Sequence, residues 1–563
     1  MEKRVLETIE KWKNFTNLDQ ELKEELFKLD EESLYDAFYK DLEFGTGGMR
    51  GVLGAGTNRM NIYTIRKANY GYAKFLLMNK MKEKSVVIAY DCRRNSLLFA
   101  KESAKVLASF NIKVYLFEKI TPTPELSFAV RYLKATGGIV VTASHNPPKY
   151  NGYKIYDERG CQLIPELAEV VIKEADKSPD MFDIKVDSFE DYLNKGLIEY
   201  VSSDVDTQYL EKVKSISLND LDKSNFKVAF TSLHGTSAVL GQRLLKEVGY
   251  NFVPVKEQMI PDGNFSTVKS PNPENGEAFT LAIKYAKEND CDICIATDPD
   301  ADRVGLAVRH NGDYVLLTGN QTGPILIEYL TKFRKITKPN YLFKTIVTSD
   351  LGQKIAERNN INVISTLTGF KFIGNEAYKL EGTDNEFFFG YEESYGYVVS
   401  DFVRDKDSLQ ALLLCSEVAC YYKQQGLDLV EVLENIYKKY GYYADKLINI
   451  NLDGEEGANR IKKTLAYFRE KVLFDVNGIK IKSREDYLES IKQNKDGSKI
   501  ELVLPKSNVL KYILENDSWF VLRPSGTEPK MKVYINTNGD SKEKALELSN
   551  EISEKVMDII NKI

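Results

Sequence analysis

Three α/β units with mixed, mostly parallel sheets, followed by an α+β unit towards the C-terminal end, is the architecture this sequence predicts. Three observations lead there. Short apolar strands alternate with helices of about ten to fifteen residues, the spacing of right-handed crossovers. The alternation recurs three times in units of similar size, although no sequence repeat accompanies it. Past about residue 445 the texture changes to successive strands closed by a terminal helix.

Taken in order, the first forty residues place apolar positions at helical spacing among many Glu and Lys, which predicts one or two amphipathic helices covering the fold. Phe44-Gly45-Thr46-Gly47-Gly48-Met49-Arg50-Gly51 is a glycine-dense loop without the Gly-Lys-Ser/Thr ending of a P-loop. It is either a plain turn or an approach that delivers Arg50 to an anion. The first unit then predicts a strand at 85–90, a helix over 98–110, a strand at 113–117 and a further strand ahead of Ser144. The second predicts strands at 226–231, 252–255 and 291–297, and the third strands at 342–348 and 363–365 with a helix from Leu351 between them. Strand candidates at 500–504, 519–522 and 532–535 precede a helix from Lys542. Boundaries near 205, 318 and 446 divide the chain into segments 1–205, 206–318, 319–446 and 447–563.

Composition narrows the function. Of 563 residues, 43% are apolar and 28% charged, as in an ordinary globular chain. The 77 basic and 83 acidic residues leave a net charge of −6, with no basic arm, which argues against a general nucleic-acid surface but permits a local cationic cleft. No apolar leader or membrane-length apolar run is present, so a cytoplasmic location is expected. Six cysteines are too sparse for a disulfide framework, and Cys291-Asp292-Ile293-Cys294 reads as a pair of half-buried strand cysteines, since no second pair or His cluster completes a metal or redox site.

Four short stretches carry chemistry. The run Gly137-Gly138-Ile139-Val140-Val141 leads into Thr142-Ala143-Ser144-His145-Asn146-Pro147-Pro148, where Asn-Pro-Pro and then Asn151-Gly152 stop regular structure. Ser144 is therefore presented at a strand end, either as a hydroxyl held for chemistry or as a turn serine bonding backbone. Asp298-Pro299-Asp300-Ala301-Asp302-Arg303 follows an apolar strand and sets three carboxylates at alternate residues, a donor set for a hard divalent cation of Mg²⁺ type. A calcium EF-hand is ruled out because Arg303 and Arg309 stand where that loop needs Gly and Glu. Gly390-Tyr391-Glu392-Glu393-Ser394 projects carboxylates and a hydroxyl from the apolar run Phe387-Phe388-Phe389, suited to vicinal sugar hydroxyls or, read alone, to a capping turn. Arg523-Pro524-Ser525-Gly526-Thr527-Glu528-Pro529-Lys530 combines hydroxyls, backbone N–H groups and a cation at each end, the makings of a phosphate cradle or of a simple turn. Lys371, between aromatics in Gly369-Phe370-Lys371-Phe372, is expected on a loop.

With these four motifs in this order, the whole chain resembles the α-D-phosphohexomutase superfamily, in its longer phosphoglucomutase/phosphomannomutase branch. The resemblance implies a heart-shaped four-domain enzyme, one motif per domain, with a mobile fourth domain. It implies that Ser144 carries a phosphoryl group and helps hold Mg²⁺ with Asp298, Asp300 and Asp302. It further implies that Lys154 assists proton transfer, that Arg50 and His145 belong to the active site, and that Arg303 neutralises charge. Glu392 and Ser394 match the family's sugar contacts, with Lys371 beside them, and Arg523, Ser525, Gly526 and Thr527 match its clamp on the non-reacting phosphate. Two departures stand out: Tyr395, Gly396 and Tyr397 follow Ser394 where one branch has a histidine, and Ser408 follows Arg404-Asp405-Lys406-Asp407 where Gly is expected. The implied reaction interconverts glucose 1-phosphate and glucose 6-phosphate through phosphoserine and glucose 1,6-bisphosphate. Mannose or pentose phosphates are the alternative substrates, and a non-catalytic sugar-phosphate sensor is the remaining reading, opposed by the intact serine and carboxylates. Partners are expected to be small-molecule sugar phosphates, with no nucleic acid and no membrane, and the chain to be a monomer or weak dimer.

Overall fold

The computed structural model describes residues 2–45, 48–452, 454–470, 475–476, 478–525 and 530–563, without the side chains of 454 and 455. It divides into two compact units, Met1–Thr318 with Phe370–Gly426, and Gly319–Gly369 with Leu427–Ile563.

In the first unit a seven-stranded mixed sheet runs in the order Phe44–Gly45, Gly48–Val52, Tyr150–Asp157, Gly137–Val141, Ser85–Tyr90, Lys113–Leu116, Ile198–Tyr200. Its centre is parallel, with Ser85–Tyr90 flanked by Lys113–Leu116 and Gly137–Val141, and its other half is antiparallel. Val86, Val87, Ile88, Ile139, Val140 and Val141 are all fully buried, because helices cover both faces of the parallel centre and leave no strand face for polar residues. A second, five-stranded sheet follows the same plan: Asn251–Pro254, Lys227–Thr231 and Ile293–Thr297 are parallel, and Val304–His310 and Asp313–Leu317 return antiparallel. The strands Gly137–Val141 and Ile293–Thr297 both end in loops that carry the candidate chemistry, as ligand sites in open α/β sheets do. The hairpin Glu386–Glu392/Gly396–Val398 and the buried helix Ser408–Gln424 complete the unit.

Three expectations need correction here. The N-terminal segment forms three helices, Lys3–Asn14, Gln20–Leu26 and Glu31–Phe38, not one or two, because Asp19 and Asp30 each cap a new start. Cys291 precedes the strand Ile293–Thr297, and both it and Cys294 are fully buried free thiols rather than half-buried. Lys371 lies not on a loop but in the first turn of the helix Phe370–Tyr378. Two glycines bracket this turn: Gly369 takes φ +120° just before the helix, and a Cβ on Gly374 would sit 2.1 Å from the Arg404 carbonyl oxygen.

Asp407 caps the helix Ser408–Gln424 from a fully buried position, accepting from the Leu409 and Gln410 N–H groups and from the Tyr209 hydroxyl at 2.8 Å. Burial outweighs these hydrogen bonds and pushes its carboxyl from the ordinary 3.8 up to about 6. A carboxyl raised in the folded state costs stability in full above its folded value and nothing below its unfolded one, here about 3 kcal/mol between the two limits. Asp407→Asn keeps the cap acceptor and cannot ionise, so the difference in Tm between wild type and variant is expected to shift in favour of wild type as the pH falls from about 6.5 to about 4. A difference that stays constant over that range, by calorimetry, contradicts the buried carboxylate.

In the second unit the parallel pair Asn340–Thr345/Asn362–Thr366 packs with the helices Gly319–Phe333, Asp350–Arg358 and Leu429–Tyr440. The remainder is antiparallel, in the order Tyr442–Asn451, Lys530–Gly539, Trp519–Pro524, Leu510–Leu514, Ile479–Asp486, Ile491–Asn494, Lys499–Glu501, with the helices Gly454–Glu470 and Lys542–Asn561. The edge strand Tyr442–Asn451 was not expected, its polar residues marking an exposed edge rather than a loop. Among the described residues no helix is long and apolar enough to cross a membrane.

Candidate active site

Ser144 sits three residues beyond the strand Gly137–Val141, buried, with φ +51°. For a residue with a Cβ the left-handed region costs about 1–2 kcal/mol, so the surroundings must hold it there. Its N–H donates to Thr142 Oγ1 at 2.8 Å, and that hydroxyl donates to the buried carboxylate of Asp91 at 2.6 Å. Its own hydroxyl donates to Asp298 Oδ2 at 2.6 Å and lies 3.2 Å from His145 Nδ1. Burial, with the nearby Arg303 and Arg50, holds the His145 imidazole well below its ordinary range, so the ring is neutral at pH 7. Arg50, on the strand Gly48–Val52, reaches the same loop and donates to Asn146 Oδ1 at 2.9 Å.

Opposite Ser144, the loop after Ile293–Thr297 brings Asp298, Asp300 and Asp302 together, all buried, with one carboxylate oxygen of each within 4.8 Å of the others. The turn closes on itself: Asp298 Oδ1 accepts from the N–H groups of Asp302 and Arg303, and Ala301 takes φ +57°. Three buried carboxylates at this spacing repel, and cations answer them. Lys154 Nζ donates to Asp300 Oδ2 at 2.8 Å and lies 3.4 Å from Asp302 Oδ2, Lys406 Nζ lies 3.1 Å from Asp302 Oδ2, and Arg303 pairs with Glu274. Burial and its two acidic neighbours push Asp298 well above the usual carboxylate range. Burial alone would raise Asp300 and Asp302 too, but Lys154 and Lys406 hold both below it. By the same attraction both lysines are held protonated against the burial that opposes it.

One oxygen on each of Asp300 and Asp302 is buried without a hydrogen-bond partner. Orphaned anionic oxygens converging with Asp298 in an all-oxygen donor set are what a hard divalent cation would satisfy, so the residues fit an ion of Mg²⁺ type.

The sugar-loop candidate lies against this metal-loop candidate. Val304 N–H donates to the Tyr395 carbonyl at 3.0 Å, and Arg303 and Gly396 form an antiparallel bridge, with Tyr395 at φ +64°. Glu392 is buried at the end of Glu386–Glu392, and Ser394 is half-buried in the turn that follows. Lys406 connects the loops: its ammonium sits 5.6 Å above the Phe370 ring at the start of the Lys371 helix, and a Cβ on Gly396 would meet its Cδ at 2.1 Å. Gly396 is thus needed for close approach, and Ser408, the residue that departs from the expected Gly, simply starts a helix, its N–H donating to the Ala301 carbonyl at 3.2 Å.

Ser144, His145, Arg50, Lys154, the three aspartates, Arg303, Glu392, Ser394 and Lys371 therefore all fall in the first unit. Arg523 and Ser525 fall in the second, at a hairpin end where Ser525 N–H donates to the Lys530 carbonyl at 2.7 Å. Gly526 and Thr527 lie outside the described residues. Sequence reasoning named Lys406 only within Arg404-Asp405-Lys406-Asp407 and gave it no role in the site. It missed Thr123, whose hydroxyl donates to Asp300 Oδ2 at 3.2 Å and which no local pattern announces.

Models of phosphoglucomutase/phosphomannomutase domains match four successive segments: α/β/α domain I at residues 41–180, domain II at 207–312, domain III at 318–440 and the C-terminal domain at 479–555. The chain belongs to the phosphoglucomutase/phosphomannomutase family. The α-D-phosphohexomutase resemblance and the plan of three α/β/α domains with mixed sheets plus an antiparallel C-terminal domain hold. Curated relatives agree. A phosphoglucomutase of Staphylococcus saprophyticus is 38% identical over 527 residues, 92% of this chain and 95% of the relative, and one of Staphylococcus aureus is 39% identical over 89% and 90%. By that likeness the activity is a phosphoglucomutase's, an isomerase of the phosphohexomutase class. Among solved structures, pp63/parafusin of Paramecium in its open form matches with TM-score 0.69 at 18% identity, over 93% of this chain and 96% of that one, a likeness of fold.

Proposed function

We propose that the chain interconverts glucose 1-phosphate and glucose 6-phosphate with Ser144 as phosphoryl carrier. The observation that supports this reading is the 2.6 Å hydrogen bond from Ser144 Oγ to Asp298, one of the three carboxylates that would hold the cation. Phosphoryl transfer needs donor and acceptor oxygens in line on opposite sides of phosphorus, so O1 and O6 of one hexose cannot exchange a phosphate directly. A phosphate held on Ser144 resolves this: it passes to the free hydroxyl, glucose 1,6-bisphosphate forms, the sugar turns over, and Ser144 takes back the other phosphate.

Ser144 with Asp298, Asp300 and Asp302 would hold Mg²⁺, which when bound stabilises charge on the phosphoryl oxygens and offsets the carboxylate field on Lys154. Lys154 is the group for proton transfer at the attacking sugar hydroxyl, taking its proton in molecules where the ammonium has first given up its own. Arg303, Arg50 and protonated Lys406 counter the charge spread over the equatorial oxygens, while His145 stays neutral beside the nucleophile. Glu392 and Ser394 read hydroxyls common to both orientations of the sugar, Lys371 is a further substrate contact, and Arg523, Ser525, Gly526 and Thr527 grip the phosphate that does not react. The four segments 1–205, 206–318, 319–446 and 447–563 each supply one of these loops. Partners are free sugar phosphates, the location cytoplasmic, and the chain a monomer or weak dimer.

Incubation with glucose 1,6-bisphosphate should add one phosphate to wild-type protein, located on Ser144 by mass spectrometry. No phosphate there, with no turnover, would leave a sugar-phosphate-binding protein instead. Turnover of glucose 1-phosphate should exceed that of mannose 1-phosphate and ribose 1-phosphate, and a strong pentose preference overturns the substrate assignment. Lys406→Met is expected to lower kcat by about 10²-fold, the lower range for losing a charge-stabilising or proton-bearing group, and a value within threefold of wild type removes Lys406 from the reaction.

A further inference from the structure

The loop that presents Ser144 has no regular structure of its own, yet it keeps a non-glycine residue at positive φ, and one side chain outside the motifs accounts for that. Arg93 follows the strand Ser85–Tyr90 and is buried completely at its side chain. Its guanidinium gives all four of its terminal N–H groups to main-chain carbonyls of this loop and of the first residue of the strand that follows it. Nη2 donates to Ser144 O and to Asn146 O, each at 2.5 Å, and Nη1 donates to Pro147 O at 3.0 Å and Tyr150 O at 3.1 Å. The charge is balanced by Asp91 at 3.4 Å, and the plane lies 4.9 Å from the Phe265 ring centroid. Asp91 also accepts the Thr142 hydroxyl that receives the Ser144 N–H. Ser144 is therefore held at both ends of its own peptide, at N–H through Thr142 and Asp91 and at C=O by Arg93.

We infer that Arg93 is a positioning residue for phosphoryl transfer, fixing Ser144 in its left-handed conformation so that Oγ stays registered on Asp298. The inference rests on reading Ser144 as the phosphoryl carrier. A planar fork of N–H donors meets four carbonyls at once. A lysine ammonium has three donors around one point, so it keeps the charge beside Asp91 and loses the grip. Arg93 makes no hydrogen bond to the carboxylates of Asp298, Asp300 or Asp302, so its loss should misplace Ser144 and spare those three carboxylates and the sugar site.

The test compares wild type, Arg93→Lys and Phe265→Leu, each checked for folding by its melting transition. The readouts are single-turnover phosphorylation of Ser144 by glucose 1,6-bisphosphate, steady-state kcat and KM, Mn²⁺ affinity by electron paramagnetic resonance, and amide hydrogen exchange over 143–150. Arg93→Lys is expected to lower the phosphorylation rate and kcat by about 10- to 100-fold. KM should stay within about twofold, and Mn²⁺ affinity, still held by the three carboxylates, should fall far less than the phosphorylation rate, the loop amides exchanging faster. Phe265→Leu, which removes only the ring beneath the guanidinium, is expected to slow phosphorylation about two- to fivefold and decides the matter if Arg93→Lys does not fold. A folded Arg93→Lys that phosphorylates at the wild-type rate overturns the inference, as does a slowed variant whose Mn²⁺ affinity falls in proportion. Wild-type protein that never takes phosphate on Ser144 overturns the carrier reading and this inference with it; phosphorylated wild type matched by the variant overturns this inference alone.

Discussion

Ser144→Ala is expected to lower kcat by about four orders of magnitude or more, the scale on which removal of a covalent nucleophile acts, because no other described hydroxyl bonds to Asp298. The fold should survive. The variant loses one buried hydrogen bond, about 1 kcal/mol, and alanine meets the same left-handed backbone that serine already endures. A coupled assay for glucose 6-phosphate formation checks the first part and thermal melting the second. Residual turnover within tenfold of wild type would remove Ser144 from the chemistry. A variant that is inactive and also unfolded would point instead to the Ser144–Asp298 contact as a structural tie.

Asp300→Asn should have the next largest effect. The carboxylate is fully buried, pairs with Lys154 and Thr123, and keeps a second oxygen without a partner. An amide of the same shape can still accept from Thr123 but cannot supply charge to a dication. Mn²⁺ affinity is expected to fall at least about 100-fold and kcat about 10³-fold. Wild type should also melt higher as Mg²⁺ is added, by about 2.7 kcal/mol of stabilisation at a hundredfold excess over Kd, whereas the variant should lose this increment. Unchanged Mn²⁺ affinity would mean that the three aspartates are a structural charge cluster answered by lysines and nothing more.

Local pattern served best where one physical constraint acted alone. The strand Ser85–Tyr90 and the helix from Lys542 were legible residue for residue, since an apolar β-branched run and an amphipathic repeat each have one good solution. The carboxylates of 298–302 were legible because their spacing and the strand before them restrict what the loop can do. Lys371 was expected on a loop but lies in the first turn of a helix, since Gly369 takes its positive φ before that turn and Gly374 makes room against Arg404 without breaking the helix. Cys291 and Cys294 were misjudged because their burial depends on whether helices cover both faces of a sheet, which no strand encodes by itself.

What the order of residues along the chain decides, then, is the inventory: a serine after a buried strand, three alternating aspartates after another, and two further loops of acids, hydroxyls and cations. What folding alone settles is how their charges add up. Lys154 comes to Asp300 across 146 positions, Lys406 reaches Asp302 from a third element, and Arg93 grips four carbonyls more than fifty residues away. Such couplings fall off within a few ångströms and are indifferent to separation along the backbone, so no window of sequence contains them.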